Sequence, residues 1–241
     1  MRDDFYIGYE PEMPSSLAPR IRVAAAGLAL LAAAMSLGLV AAQGRFAAGV
    51  FEFGHARSVE GRVVERPYPM LLGADGTRYF LVGPGKRGAA AIAEGFDGRM
   101  VRADGMLIER QGDRMLQVSS GAIQAVSDAP VQPGRPLEKG PVETIDGEIV
   151  DSKCHLGVMK PGEGPLHRDC AVRCLLGGAP PMLVVSDGGR VRRIPLVSAE
   201  GGPLTGDLEP WVARPVRVRG IVYTRGQEQY LGLDRQGLGV R

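Results

Sequence analysis

The sequence predicts a mainly β protein: an N-terminal transmembrane helix, then two tandem OB-like small β-barrels, the second carrying a Cys/His-rich insert with a short helix. Three observations predict it: an uncharged apolar run near the N-terminus, a Gly- and Pro-rich remainder poor in aromatics, and a repeated strand pattern. With 35 Gly, 18 Pro and 5% aromatic residues, many short strands joined by tight turns fit better than long helices. The net charge of +2 supplies no basic field of the kind that displaces counterions from phosphates, so nucleic acid is discounted as a partner.

The first element is Val23 to Ala42, VAAAGLALLAAAMSLGLVAA, without charge, Pro or amide and long enough to cross a hydrocarbon core. Arg20 and Arg22 precede it, and Gln43 and Arg45 follow. Val40-Ala41-Ala42 would serve as a signal-peptidase site, but the run is longer than the usual h-region of about 7–15 residues, which favours an uncleaved anchor in contact with lipid. Basic residues on both flanks bias orientation weakly; the expected arrangement is a cytoplasmic stub, residues 1–22, and a periplasmic C-terminal region at a bacterial inner membrane. Phe5, Tyr6, Ile7 and Tyr9 of the stub read either as interfacial aromatics or as a peptide that docks on a membrane partner.

Beyond the span the pattern repeats. The first copy reads VEGRVVERPYPMLL, RYFLVGP and GRMVRADGMLIERQGDRMLQVSS; the second reads IDGEIVDSKC, PPMLVVSDGG and ARPVRVRGIVYTRGQEQYLGLD. Each has a Gly-led strand, an apolar strand, and a hairpin whose first strand carries V-R-x-x-G, with turns at Gly112-Asp113 and Gly226-Gln227 and a bend at Gly220. This order fits a Greek-key barrel twice, residues 56–128 and 142–236, joined by a Pro-rich linker, 129–141; a single continuous β-sandwich is the rival. Ala89 to Ala93 and Pro203 to Val212 are the expected short helical pieces.

The copies differ in one place. Gly147 to Gly220 is roughly 29 residues longer than Gly61 to Gly105, and the surplus includes Asp151 to Pro181, which holds all three cysteines and two of the three histidines. His167, Cys170 and Cys174 fall at i, i+3 and i+7, one stripe of a helix, and Cys154 at the end of the preceding strand can reach that stripe. Three thiolates and an imidazole make a four-coordinate set for zinc, and thiolates also suit copper(I) or an iron–sulfur cluster. Two other readings stand beside the metal: a disulfide from Cys154 to either Cys170 or Cys174, and a leftover thiol engaged in redox exchange. Lys153, Lys160, Arg168 and Arg173 make the insert locally basic against Asp151, Glu163 and Asp169. His155 reads as a strand residue and His55 as a solvated linker residue. No phosphate loop or Ser/His/Asp constellation is present, so no catalytic residue is assigned.

The FYIGY stub, the single span and the segment D-x-K-C…M-K-P-G-x-G…H-x-x-C-A-x-x-C…G-G-x-P-P together resemble a family of membrane-anchored bacterial proteins. The resemblance covers nearly the whole chain. It implies a companion to respiratory or other integral membrane redox subunits, and points to Cys154, His167, Cys170 and Cys174. A weaker likeness is to the single-span haem chaperone of cytochrome c maturation, but the C-terminal region here has no histidine for haem. The expected function is a non-catalytic accessory subunit of a membrane redox assembly, its insert a docking or stabilising element; the alternatives are a metal-binding or electron-transfer module and a thiol-redox protein.

Overall fold

The computed structural model describes residues 13–43, 49–126, 131–204, 206 and 208–240, leaving aside the side chains of 234 and 235. Phe5, Tyr6, Ile7 and Tyr9, and the docking role read for them, lie outside the described residues. The chain divides into two compact units, residues 1–47 and 48–241.

Among its described residues the first unit holds one helix, α1 (Ala18–Gln43), with a mean hydropathy of 2.2 over its apolar window and no buried residue. It contains the predicted span and begins five residues earlier, since Pro19 falls in the first turn, where its missing N–H costs no hydrogen bond. From Val23 to Ala42 it carries no charge, and it is long enough to cross a membrane.

The second unit holds both barrels. In the first, β1 (Val50–Val64), β2 (Met70–Gly73), β3 (Arg78–Val82), β4 (Met100–Arg110) and β5 (Asp113–Ala125) close in the order β1-β2-β3-β5-β4. β1 pairs antiparallel with β4 and β3 pairs parallel with β5, which is the OB-type path, and the short helix α2 (Ala90–Ala93) bridges β3 to β4. Val63, Leu71, Leu81, Ala93, Val101 and Leu116 fill the interior. In the second, β6 (Glu138–Asp151), β7 (Pro181–Asp187), β8 (Arg190–Ser198), β9 (Pro215–Arg225) and β10 (Glu228–Val240) close in the order β10-β8-β7-β6-β9, with β8 and β10 parallel. The path is the same, strand for strand, and a continuous sandwich is excluded. Ile149, Leu183, Leu196, Val216, Val218 and Leu231 form its core.

Several predicted boundaries move. β1 starts at Val50 rather than 56, so His55 is an exposed strand residue and not part of a linker. β6 starts at Glu138, inside the expected linker, because the β6–β9 ladder extends to Glu138↔Thr224; β10 runs on to Val240. The first hairpin turns at Gln111-Gly112, both at positive φ, one residue before the predicted pair. The described residues of 203–212 form turns around isolated bridges rather than a helix.

The barrels pack through the faces of β2–β3 and β7–β8, the faces that OB folds offer to ligands. Phe80 of β3 is the hub: it packs against Tyr68, Val197 and Tyr230, against Val82, Ile108 and Leu156, and against Val150, Met182 and Val184. The Tyr68 hydroxyl donates to the Leu196 carbonyl at 2.6 Å and accepts from Leu204 N–H at 2.9 Å.

Candidate metal centre

The insert leaves the barrel where β6 ends. Asp151 is fully buried there, and its Oδ1 accepts the Cys154 backbone N–H at 2.8 Å, turning the chain out of the strand. A π-type turn, Cys154–Val158, follows; His155 lies in it, buried, and not in a strand. Leu156 of this turn enters the first barrel's cluster with Val82, Ile108 and Met115, so the insert docks on the other barrel of its own chain. A tight 3-10 turn, Pro165–His167, leads into α3 (Arg168–Leu176). Helical spacing splits α3 into two faces: Ala171 and Leu175 join the second barrel's core, while Cys170 and Cys174 face Cys154. The helix ends at Leu176 and is capped by Gly177, and Gly178, with a φ of 92°, turns the chain away.

Folding thus gathers all four predicted residues, in two overlapping groups. The sulfurs of Cys154, Cys170 and Cys174 lie within 4.8 Å of one another, and so do ligand atoms of Asp151, Cys154 and His167. Cys154 Sγ is 3.6 Å from Cys170 Sγ and 3.7 Å from Cys174 Sγ. A disulfide needs about 2.05 Å, so the expected bridge from Cys154 is not formed and all three thiols are free. These separations fit one ion: at about 2.3 Å from zinc, sulfurs at tetrahedral angles stand about 3.8 Å apart. An iron–sulfur cluster spreads its thiolates over several irons and needs a wider set.

His167 is buried, and its Nε2–H donates to Asp151 Oδ2 at 2.7 Å. That bond places the lone pair of the neutral ring on Nδ1, which is buried without a hydrogen-bond partner. A carboxylate behind one ring nitrogen with the other left bare is how metal-binding histidines are oriented. Asp151 therefore has two tasks, holding the Cys154 turn and aiming His167.

Two lysines face the sulfurs, of which the sequence analysis singles out Lys153 alone. Lys153 is buried; its ammonium donates to the carbonyls of Gly83 and Gly85, both at 2.7 Å, and desolvation lowers its pKa against the pull of Cys174, Cys154 and Asp151. Lys86, from the loop after β3 of the first barrel, brings Nζ to 2.8 Å from Cys170 Sγ and 3.9 Å from Cys174 Sγ, and contact with Cys170 raises its pKa. Sequence reasoning missed Lys86 because 84 residues separate it from Cys170; the only signal was the glycine pair around it, GPGKRG against LLGG. Those segments touch backbone to backbone: Gly88 N–H donates to Gly177 O at 2.8 Å, and a Cβ on Gly177 would fall 1.7 Å from Lys86 O. Within the thiol pair, the Cys154 pKa is raised by its bond to Cys174 and by burial, and the Cys174 pKa is lowered by the same bond and by Lys86. The cluster is a compact, electropositive, sulfur-rich pocket able to hold a thiophilic cation or to exchange electrons between thiols.

His155 points away from the sulfurs into a separate network. Arg193 Nε donates to its Nε2 at 3.0 Å, Arg110 Nη1 donates to its carbonyl at 2.7 Å, and Glu163 lies 3.4 Å from Nδ1. Burial first, and then the two guanidiniums, push its pKa down to about 3. Comparison with protein-family models, with curated proteins and with solved structures returned no match.

Proposed function

We propose that the insert of the second barrel binds a single thiophilic metal ion, zinc or copper(I), through Cys154, Cys170, Cys174 and His167, with Asp151 orienting His167. The observation that carries this reading is the convergence of three free sulfurs at the spacing of one coordination sphere. The orphaned His167 Nδ1 supports a fourth ligand. With four protein ligands the site is closed, which suits a structural or electron-transfer role rather than substrate activation. On this reading α1 anchors the barrels at a bacterial inner membrane on the periplasmic side, and the chain serves as a non-catalytic, metal-bearing accessory subunit of a respiratory or other membrane redox assembly. The resemblance in the insert motif and the apolar helix support that setting.

The test is metal analysis with thiol counting on the full chain, purified in detergent without chelator. The reading expects about one ion per chain, lost in Cys174→Ser and weakened in His167→Ala, and larger membrane proteins co-purifying with the wild type. Three reactive thiols with no ion, unprotected by added zinc or copper(I), would overturn it.

A further inference from the structure

The same three thiols differ in exposure, and the difference assigns them separate chemistry. Cys154 and Cys174 are buried, whereas Cys170 is half-buried at the open edge of the cluster, with Lys86 Nζ 2.8 Å from its sulfur. Cys154 Sγ waits 3.6 Å behind it. We infer that Cys170 is a site of oxidation by hydroperoxides, that Cys154 resolves it, and that Lys86 is the acid that assists.

The Cys170 thiolate attacks one peroxide oxygen, the O–O bond breaks, and the departing oxygen takes a proton from the Lys86 ammonium. The products are a Cys170 sulfenic acid, water and a neutral lysine. The Cys154 thiol then attacks the sulfenic sulfur and displaces its hydroxyl, which leaves as water with the thiol's proton, so a Cys154–Cys170 disulfide remains. Two sulfurs lose one electron each and the peroxide gains both. The sulfurs must close from 3.6 Å to about 2.05 Å, a shift within reach of side-chain torsion because Cys154 sits on a short turn rather than in a ladder. Cys174 is one helical turn further on and keeps its thiol. Where an ion is bound, as proposed above, the bridge removes two of its ligands and releases it; that clause alone rests on the metal reading.

The experiment treats the full chain in detergent with one equivalent of hydrogen peroxide, followed by peptide mapping and a zinc-release assay. The expected product is the Cys154–Cys170 bridge with Cys174 free. In Cys154→Ser, dimedone should label Cys170, and in Lys86→Met the reaction should slow on the order of 10²-fold, the typical contribution of a positioned acid. A bridge from Cys154 to Cys174, a dimedone adduct on Cys174, or three intact thiols after peroxide would overturn the inference. A correct bridge in a protein that holds no ion would sink the metal reading and leave this one standing.

Discussion

Replacing His155 with Gln should flatten the acid limb of the stability curve. His155 titrates near 6.5 when unfolded and at about 3 when folded, because burial and the Arg110 and Arg193 guanidiniums disfavour the imidazolium. Between those values the unfolded chain binds a proton that the folded chain refuses, so stability rises with pH across this window and is lost as pH falls from 6.5 towards 3. At about 1.4 kcal/mol per unit, the full difference sets a ceiling of about 5 kcal/mol, of which the part above pH 4 is roughly 3. Glu163, only partly buried, gains a partner when the ring charges and trims this, so we expect roughly 2 kcal/mol between pH 7 and pH 4. Urea unfolding of the full chain in detergent, with chelator present so that metal loss does not contribute, measures it. The wild type should lose that much more stability than His155→Gln over the interval. Parallel curves for the two proteins would refute the account, since other carboxylates contribute equally to both.

Gly177→Ala should cost roughly 3 kcal/mol in urea unfolding, because its Cβ cannot share space with the Lys86 carbonyl and the loop 83–88 must lift from the insert. Phe80→Ala should cost roughly 2–4 kcal/mol by the same assay, with unfolding of the two barrels becoming separable, since Phe80 joins three clusters across their contact. Lys153→Met strips the carbonyls of Gly83 and Gly85 of a charged donor and should cost roughly 1–3 kcal/mol. Asp151→Asn should weaken metal retention against a chelator by about 10–100-fold, the usual penalty for losing the carboxylate behind a metal-binding histidine.

The apolar N-terminal helix, the doubled barrel and the insert were legible in the residues themselves, each for a local reason. Twenty apolar residues without Pro form a continuous helix long enough to cross a membrane, and a strand pattern that recurs after Gly61 and Gly147 folds the same way twice because alternation and turn chemistry act over short range. The stripe formed by Cys170 and Cys174 followed from helical spacing, and their candidacy with Cys154 and His167 from residue type. Ladder ends were not legible: β1 and β6 extend into stretches with no strand signal because their partners β4 and β9 offer free hydrogen-bonding groups there.

What only the tertiary structure decided is the state of the cluster and its surroundings. No spacing in the sequence distinguishes three free sulfurs 3.6 and 3.7 Å apart from a disulfide. Nor does any local pattern bring Lys86 of the first barrel to Cys170 of the second, turn Asp151 onto His167, or draw His155 between two arginines. These contacts join residues far apart in the chain, and they exist because two apolar barrel faces are buried against each other with the insert held between them.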